Sequence, residues 1–184
     1  MTLETYRAKR NFKRTKEPPG RLGSGPSSRR YVIQKHAASH LHYDFRLELD
    51  GVLLSWAVPK GPSLDPAVKR LAMQVEDHSV EYAGFEGTVP AGEYGGGTVM
   101  LWDEGTWSPE GDARAAYKKG HLKFSLEGGR LRGAWSLVRT SGSTFGGKDG
   151  NKAWLLIKAK DAAARPGGIA LIDEPTNRVR TGST

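Results

Sequence analysis

The chain contains no cysteine. That excludes a disulfide framework and any thiolate metal site, so a bound metal would have to be held by histidine and carboxylate. It also lacks an apolar run long enough to cross a bilayer, and no apolar segment stands at its N-terminus. No membrane span or signal peptide is therefore read from it, and a cytoplasmic protein with no membrane partner is expected. Helical periodicity is scarce. Only residues 113–119, with Asp112 as cap, read as helix. Histidine is sparse as well, with five in 184 residues, yet His36, His40 and His42 cluster. Acidic residues are few at the start of the chain. Residues 1–30 hold nine Lys and Arg against two Asp and Glu, a net of +7 out of a total of +8. A basic arm on a nearly neutral body points to a polyanion, and nucleic acid fits better than membrane because the arm shows no apolar helical face.

What is present is mostly strand. Residues 1–30, rich in Pro, Gly and Ser, read as a flexible arm. Tyr31–His36 is a short strand. Leu41–Leu49 alternates, with Leu41, Tyr43, Phe45, Leu47 and Leu49 on one face and His42, Asp44, Arg46 and Glu48 on the other. Asp50-Gly51 is a two-residue hairpin signal, and Val52–Val58 returns as a central strand. Lys69–Asp77 alternates again, which predicts Arg70, Ala72, Gln74, Glu76 and His78 on one face. Residues 79–97 read as a Gly-rich crossover. Thr98–Asp103 and Gly105–Trp107 read as strand pieces, His121–Glu127 and Arg130–Arg139 as a hairpin, and Ala153–Lys160 as the last strand. The expected boundaries are an arm at 1–30, a domain at 31–160 and a loose tail at 161–184. The expected fold is mainly β, a small closed antiparallel β-barrel of about eight strands with one or two short helices.

The polar face of Leu41–Leu49 carries the chemistry. His42 and Asp44 are neighbours on it and can reach one metal ion. Arg46 follows where an anion on that metal would meet it. His36 could fold back across the AASHL connection as a third ligand. Two His and one carboxylate commonly hold a catalytic divalent metal that keeps open positions. Against this, a strand histidine is more often structural or solvated, Tyr82 reads equally well as core, and Glu76 as a partner of Arg46 or Arg70. His121 reads as a solvated strand residue. Trp56, Trp102, Trp135 and Trp154 read as core. The EYGGGT stretch lacks phosphate-loop spacing and reads as turns or bulges.

The run QKHAASHLHYDFRLELDG, then SWAVPKGPS, then VEDHSVEYAGFEG, then PAGEYGGGTV, resembles the 3′-phosphoesterase domain of bacterial DNA ligase D over about residues 31–160. A weaker echo lies in YRAKRNFKRTKEPPG. The resemblance implies a β-barrel that uses manganese to heal DNA 3′ ends in non-homologous end joining. It would remove 3′-phosphates and 3′-terminal ribonucleosides from primer strands and leave 3′-hydroxyls. It implies His36, His42 and Asp44 as metal ligands, and Arg46 and His78 as contacts to the scissile phosphate. Tyr82 matches a tyrosine needed for activity. Lys60 and Arg70 match basic residues associated with ribonucleoside trimming, Glu76 an acidic site residue, and Glu17 a residue of substrate handling. The expected partners are primer–template 3′ ends and a separate repair ligase or polymerase.

Two other readings stay open. A His-x-Asp pair with a distant His also describes non-haem iron oxygenases. A non-catalytic nucleic-acid-binding barrel would explain the charged arm but not the polar faces of two strands.

Overall fold

The Asp50-Gly51 turn shows how directly local chemistry sets this fold. Asp50 has φ 52° and Gly51 φ 85°. Both lie in the left-handed region that a tight hairpin turn requires and that Asp and Gly tolerate best. The turn joins β2 (Leu41–Leu49) to β3 (Val52–Val58), pairing Leu49 with Val52 and Tyr43 with Val58.

The computed structural model describes residues 29–37, 39–84, 86–89, 97–140 and 152–167. Before β2 comes β1 (Arg30–Ala37). After β3 come β4 (Lys69–Ser79), a 3-10 turn (Val80–Gly84), β5 (Gly87–Val89), β6 (Gly97–Pro109), helix α1 (Ala113–Lys119), β7 (His121–Gly128), β8 (Arg132–Arg139) and β9 (Ala153–Lys158). The strands pair in the order β1-β2-β3-β4-β9-β8-β7-β6, and a further β1–β6 pairing closes the ring. All pairings are antiparallel. The result is the expected eight-stranded closed barrel, with β5 added on the edge of β6.

Closure leaves an inner and an outer face, with alternate residues on each. Phe45 on β2 touches Phe124 on β7, with ring centroids 6.0 Å apart, and Trp56 on β3 meets Trp154 on β9 at 5.5 Å. Neither pair sits on adjacent strands, so these rings cross the interior. Tyr31, Trp107, Leu47 and Leu54 are buried with them. Fully burying a side chain of this kind contributes about 1.5–3 kcal/mol. The helix is capped by Asp112, whose carboxylate accepts from the Ala115 amide. Its Tyr117 stacks on Trp154 and meets the edge of Trp56, so α1 packs on the aromatic core.

Three local expectations are revised. Gly105 does not separate two strands. It lies within β6, where a Cβ would collide with the Glu127 carbonyl of β7, so glycine permits the close pairing. Residues 161–167 begin the expected loose tail, yet they are tied back. The Arg165 amide donates to the Leu64 carbonyl and the Gly167 amide to the Asp65 carboxylate.

The third concerns β4. Leu53 pairs with His78, but Ser55 pairs with Val75, so β4 carries one extra residue against β3. Such a bulge resets the alternation. His78 joins the outer face with Leu53 and Ser55. Arg70, Ala72 and Gln74 fall on the inner face, where Gln74 donates to the Tyr117 hydroxyl and accepts from the Trp154 indole at 3.0 Å. The single polar face predicted for Arg70, Glu76 and His78 is therefore split.

Candidate metal centre

The register of β1 against β2 builds the site. His36 stands opposite His42, Gln34 opposite Asp44 and Val32 opposite Arg46. Directly opposed residues share a face. Phe45 and Ile33 occupy the inner face, so these polar groups share the outer one. They are nonetheless buried, with Gln34 at 0 %, Arg46 at 2 %, Asp44 at 6 % and His36 at 7 % exposure. The 3-10 turn packs over them, held by a hydrogen bond of 2.7 Å from Gln34 Nε2 to the Tyr82 carbonyl.

One donor atom from each of His36, His42 and Asp44 lies within 4.8 Å of the others. His36 Nδ1 is 3.5 Å from Asp44 Oδ2, and His42 Nε2 is 3.2 Å from Asp44 Oδ1. Two oxygen or nitrogen ligands at right angles around a small divalent ion stand about 3 Å apart. The triad therefore fits such an ion with little movement, and its hard and borderline donors suit manganese among others. Second partners orient the rings. The His42 Nδ1 donates to the His40 carbonyl at 3.2 Å, which leaves Nε2 turned toward Asp44. His40 thus serves the site through its backbone and keeps its side chain exposed.

Electrostatics favour an ionised ligand. Burial alone would raise the pKa of Asp44. The Arg46 guanidinium, with hydrogen bonds from His36 and His42, outweighs burial and holds it well below the usual carboxylate range. For His42, burial disfavours the imidazolium, yet the hydrogen bond and charge of Asp44 outweigh it and raise its pKa.

Arg46 stands beside the triad, its Nη2 3.5 Å from Asp44 Oδ2. Its Nε donates to Gln34 Oε1 at 2.7 Å. Its Nη1 is buried and has no hydrogen-bond partner among the described residues. A buried donor of this kind is costly unless something accepts from it. The Tyr82 ring lies 4.9 Å under the guanidinium, and the His78 ring meets the same tyrosine at 4.9 Å. The His78 Nδ1 donates to the Glu76 carbonyl at 2.9 Å. A carbonyl only accepts, so Nδ1 carries the proton and Nε2 is the nitrogen that can serve a substrate.

The structure thus brings together His36, His42, Asp44, Arg46, Tyr82 and His78. Glu76 joins through its backbone carbonyl. Lys60 lies exposed in the turn that follows β3. Arg70 lies on the inner face of β4, against Leu156 of β9, with its Nε buried and without a hydrogen-bond partner among the described residues. Glu17 lies outside the described residues. Sequence reasoning missed Gln34. Its signal was available, because it stands two residues before His36 on a strand and must share its face.

Fold and cluster together define a class: a small closed antiparallel β-barrel whose outer face carries a two-His, one-Asp candidate metal site with a buried arginine beside it. The family model described as the DNA Ligase D 3′-phosphoesterase domain matches residues 34–139, and the chain belongs to that family. It is 56 % identical over 165 residues to the multifunctional non-homologous end joining protein LigD of Pseudomonas aeruginosa, covering 89 % of this chain and 19 % of that protein. It is 45 % identical over 144 residues to the multifunctional non-homologous end joining DNA repair protein LigD of Mycobacterium tuberculosis, covering 78 % and 19 %. The LigD protein of Mycolicibacterium smegmatis is 39 % identical over 176 residues, covering 91 % and 22 %. The chain spans about a fifth of the length of these relatives. Among the described residues, no helix is long and apolar enough to cross a membrane.

Proposed function

We propose that the chain is a manganese-dependent 3′-phosphoesterase that heals DNA ends, removing 3′-phosphates and 3′-terminal ribonucleosides from primer strands in the cytoplasm. The observation that carries this reading is the His36–His42–Asp44 triad with the buried Nη1 of Arg46 beside it, which has no hydrogen-bond partner among the described residues. A divalent ion held by the triad would polarise the phosphoryl group and lower the pKa of water. Arg46 supplies a planar fork of donors to phosphoryl oxygens, oriented before substrate arrives because Gln34 fixes its Nε. His78, directed by the Glu76 carbonyl, presents Nε2 to the phosphate or to the leaving 3′-oxygen. Tyr82 packs between Arg46 and His78 and sets their spacing. Lys60 and Arg70 are assigned to the ribonucleoside-trimming step on family likeness, and Glu76 is kept as an acidic site residue with no step assigned to it. For Arg70 to act there, its side chain must emerge from the inner face of β4. The basic residues 1–30 would hold the DNA backbone, and a repair ligase or polymerase would take the 3′-hydroxyl.

The test uses two labelled primer–templates, one ending in a 3′-phosphate and one in a single 3′-ribonucleotide. Each is incubated in manganese, in magnesium and in chelator. A 3′-hydroxyl product that depends on manganese is expected. DNA binding without product in any metal would overturn the enzymatic reading in favour of a binding barrel. Oxoglutarate turnover with iron would favour an oxygenase.

A further inference from the structure

The outer wall of the barrel is not uniform. β7 follows the polar-out rule of a solvated antiparallel sheet, with His121, Lys123, Ser125 and Glu127 exposed and the residues between them buried. β4 and β9 break that rule. Trp154 and Leu156 are buried in the interior, so Leu155 and Ile157 face outward, and both are partly exposed. The register sets Leu155 between Leu71 of β4 and Val138 of β8. Two residues further along β4, Met73 stands opposite Ala57 of β3, which stands opposite Asp44. All of these apolar side chains are partly exposed. They form one band that runs round the outside of the barrel from β8 to the metal centre. Adjoining strands lie about 4.8 Å apart, so Ala57 is one spacing from Asp44, Met73 is two, and the band is about 19 Å long.

Neighbouring apolar side chains on a solvated wall mark a binding surface, where single scattered ones do not. The position of the band says what it binds. A DNA strand whose 3′ end reaches the triad must leave over one of its flanks. Among the described residues, the flank toward β6 is occupied. There β5 pairs with β6, and the Glu86 carboxylate accepts from the Leu101 amide at 2.8 Å. The 3-10 turn lies over Gln34 and Arg46. Toward β3 lies the band. Its edge is basic: Lys69 stands opposite Ile157 and is exposed, and Lys60 is exposed in the turn after β3. We propose that the band is the track of the substrate strand, with the last few nucleotides before the reacting 3′ end lying unpaired across it, bases against the aliphatic side chains and phosphates toward Lys60 and Lys69. This rests on the phosphoesterase reading above. A surface that is apolar along its length and charged at its edge suits a single strand, whose base faces are open and whose phosphates run along one side. It does not suit a duplex, which turns its phosphates outward and keeps its base faces in the stack.

The first test uses the unmodified full chain and a primer–template with 4-thiothymidine at the second or third nucleotide from the primer 3′ end. Irradiation in manganese and in chelator, followed by mass spectrometry, should place the crosslinks in residues 69–73 and 153–157. Crosslinks confined to other strands would overturn the proposal. So would crosslinks to the band that form only when the thionucleotide is moved to the template overhang. The second test asks what the band contributes. The ratio of kcat/KM on a 3′-phosphate oligonucleotide to that on a nucleoside 3′-phosphate should fall about 10-fold in Leu155→Gln, because the nucleoside has nothing to lay on the band. An unchanged ratio would overturn the proposal. Lys69→Gln should lower the salt slope of oligonucleotide binding by about 0.7, the share of one phosphate contact on a single strand. If Leu155→Gln does not fold, Leu71→Gln takes its place, and the crosslinks need no variant. Sedimentation covers the rival occupant: a dimer of the unmodified chain that Leu155→Gln disperses would assign the band to a second copy and overturn the proposal. Absence of turnover in the unmodified chain would refute the phosphoesterase reading instead, while the crosslinks still report where the strand lies.

Discussion

Two buried aspartates face opposite sides of the same stretch of β1. Asp44 on β2 stands against Gln34 and points outward. Asp103 on β6 stands against Ile33 and points inward. Both are almost wholly buried. Around Asp44 the partners are His36, His42 and Arg46, all side chains, all basic or able to bind a metal. Around Asp103 they are the Tyr31 hydroxyl at 2.8 Å and the backbone amides of Arg130 and Leu131, each at 2.9 Å. The electrostatic outcomes have opposite sign. Asp44 is held well below the usual range despite its burial. For Asp103, burial outweighs its neutral hydrogen bonds and raises the pKa. Burial therefore does not mark a functional carboxylate. What marks Asp44 is a surrounding of cationic and ligating groups that keep it ionised and leave room for one more partner. Asp103 is filled by fixed donors and locks the β7–β8 turn onto the wall of the barrel.

The sharpest way to break this comparison is to neutralise each carboxylate in turn. Asp44→Asn should lower turnover on a 3′-phosphate end by about 10³-fold or more, because a ligand and its charge are both lost. Asp103→Asn should leave turnover per folded molecule within about 3-fold. Equal losses measured by single-turnover kinetics would erase the distinction. Metal-linked stability gives the next largest effect. Manganese at about 100 times its dissociation constant should stabilise the unmodified chain by about 2.7 kcal/mol. Urea unfolding with and without the ion should show the full increment in Asp103→Asn and none in Asp44→Asn. A retained increment in Asp44→Asn would place the ion elsewhere.

Much of this was legible in the sequence, for reasons that differ by element. The period of Leu41–Leu49 and the Asp50-Gly51 turn fixed the face of His42, Asp44 and Arg46, because strand alternation and hairpin geometry are local. The Asp112 cap marked α1 for the same reason. The face of Arg70 was not legible. It depends on an extra residue between Val75 and His78, and a bulge arises from how β4 meets β3 rather than from the composition of β4. Asp103 escaped notice too, since its donors come from Tyr31 and from a turn near Leu131, far away in sequence. Gln34 was not legible as a site residue because its amide neither titrates nor ligates a metal, although the period of β1 puts it on the same face as His36.

Acid should expose the triad and spare the lock. His42 is raised above its ordinary value of 6.5 by Asp44, against the pull of burial. In the metal-free protein this pair adds stability that is fully present below the unfolded pKa and is lost as pH rises through the folded one. For metal binding the direction reverses, since the bound proton must leave. Manganese affinity should begin to fall while the pH is still above 6.5 and then drop about tenfold per pH unit, about 1.4 kcal/mol. Calorimetric titration across that range reads it, and Asp103→Asn should follow the same curve as the unmodified chain. A curve that stays flat until well below 6.5 would mean that Asp44 does not hold the proton on His42.

The smallest change bears on whether the two regions are independent. Tyr31→Phe removes one hydrogen bond to Asp103 and nothing from the triad. It should cost about 1 kcal/mol in urea unfolding. Tyr31 and His36 lie on the same strand, so the same variant asks whether β1 transmits disturbance along its length. Distant sites without shared partners usually add, so manganese affinity and kcat should not change. Lowered manganese affinity in Tyr31→Phe would mean that the seating of β1 in the barrel governs the spacing of His36 from Asp44. The lock around Asp103 would then belong to the working parts of the metal centre, through the strand that both aspartates face.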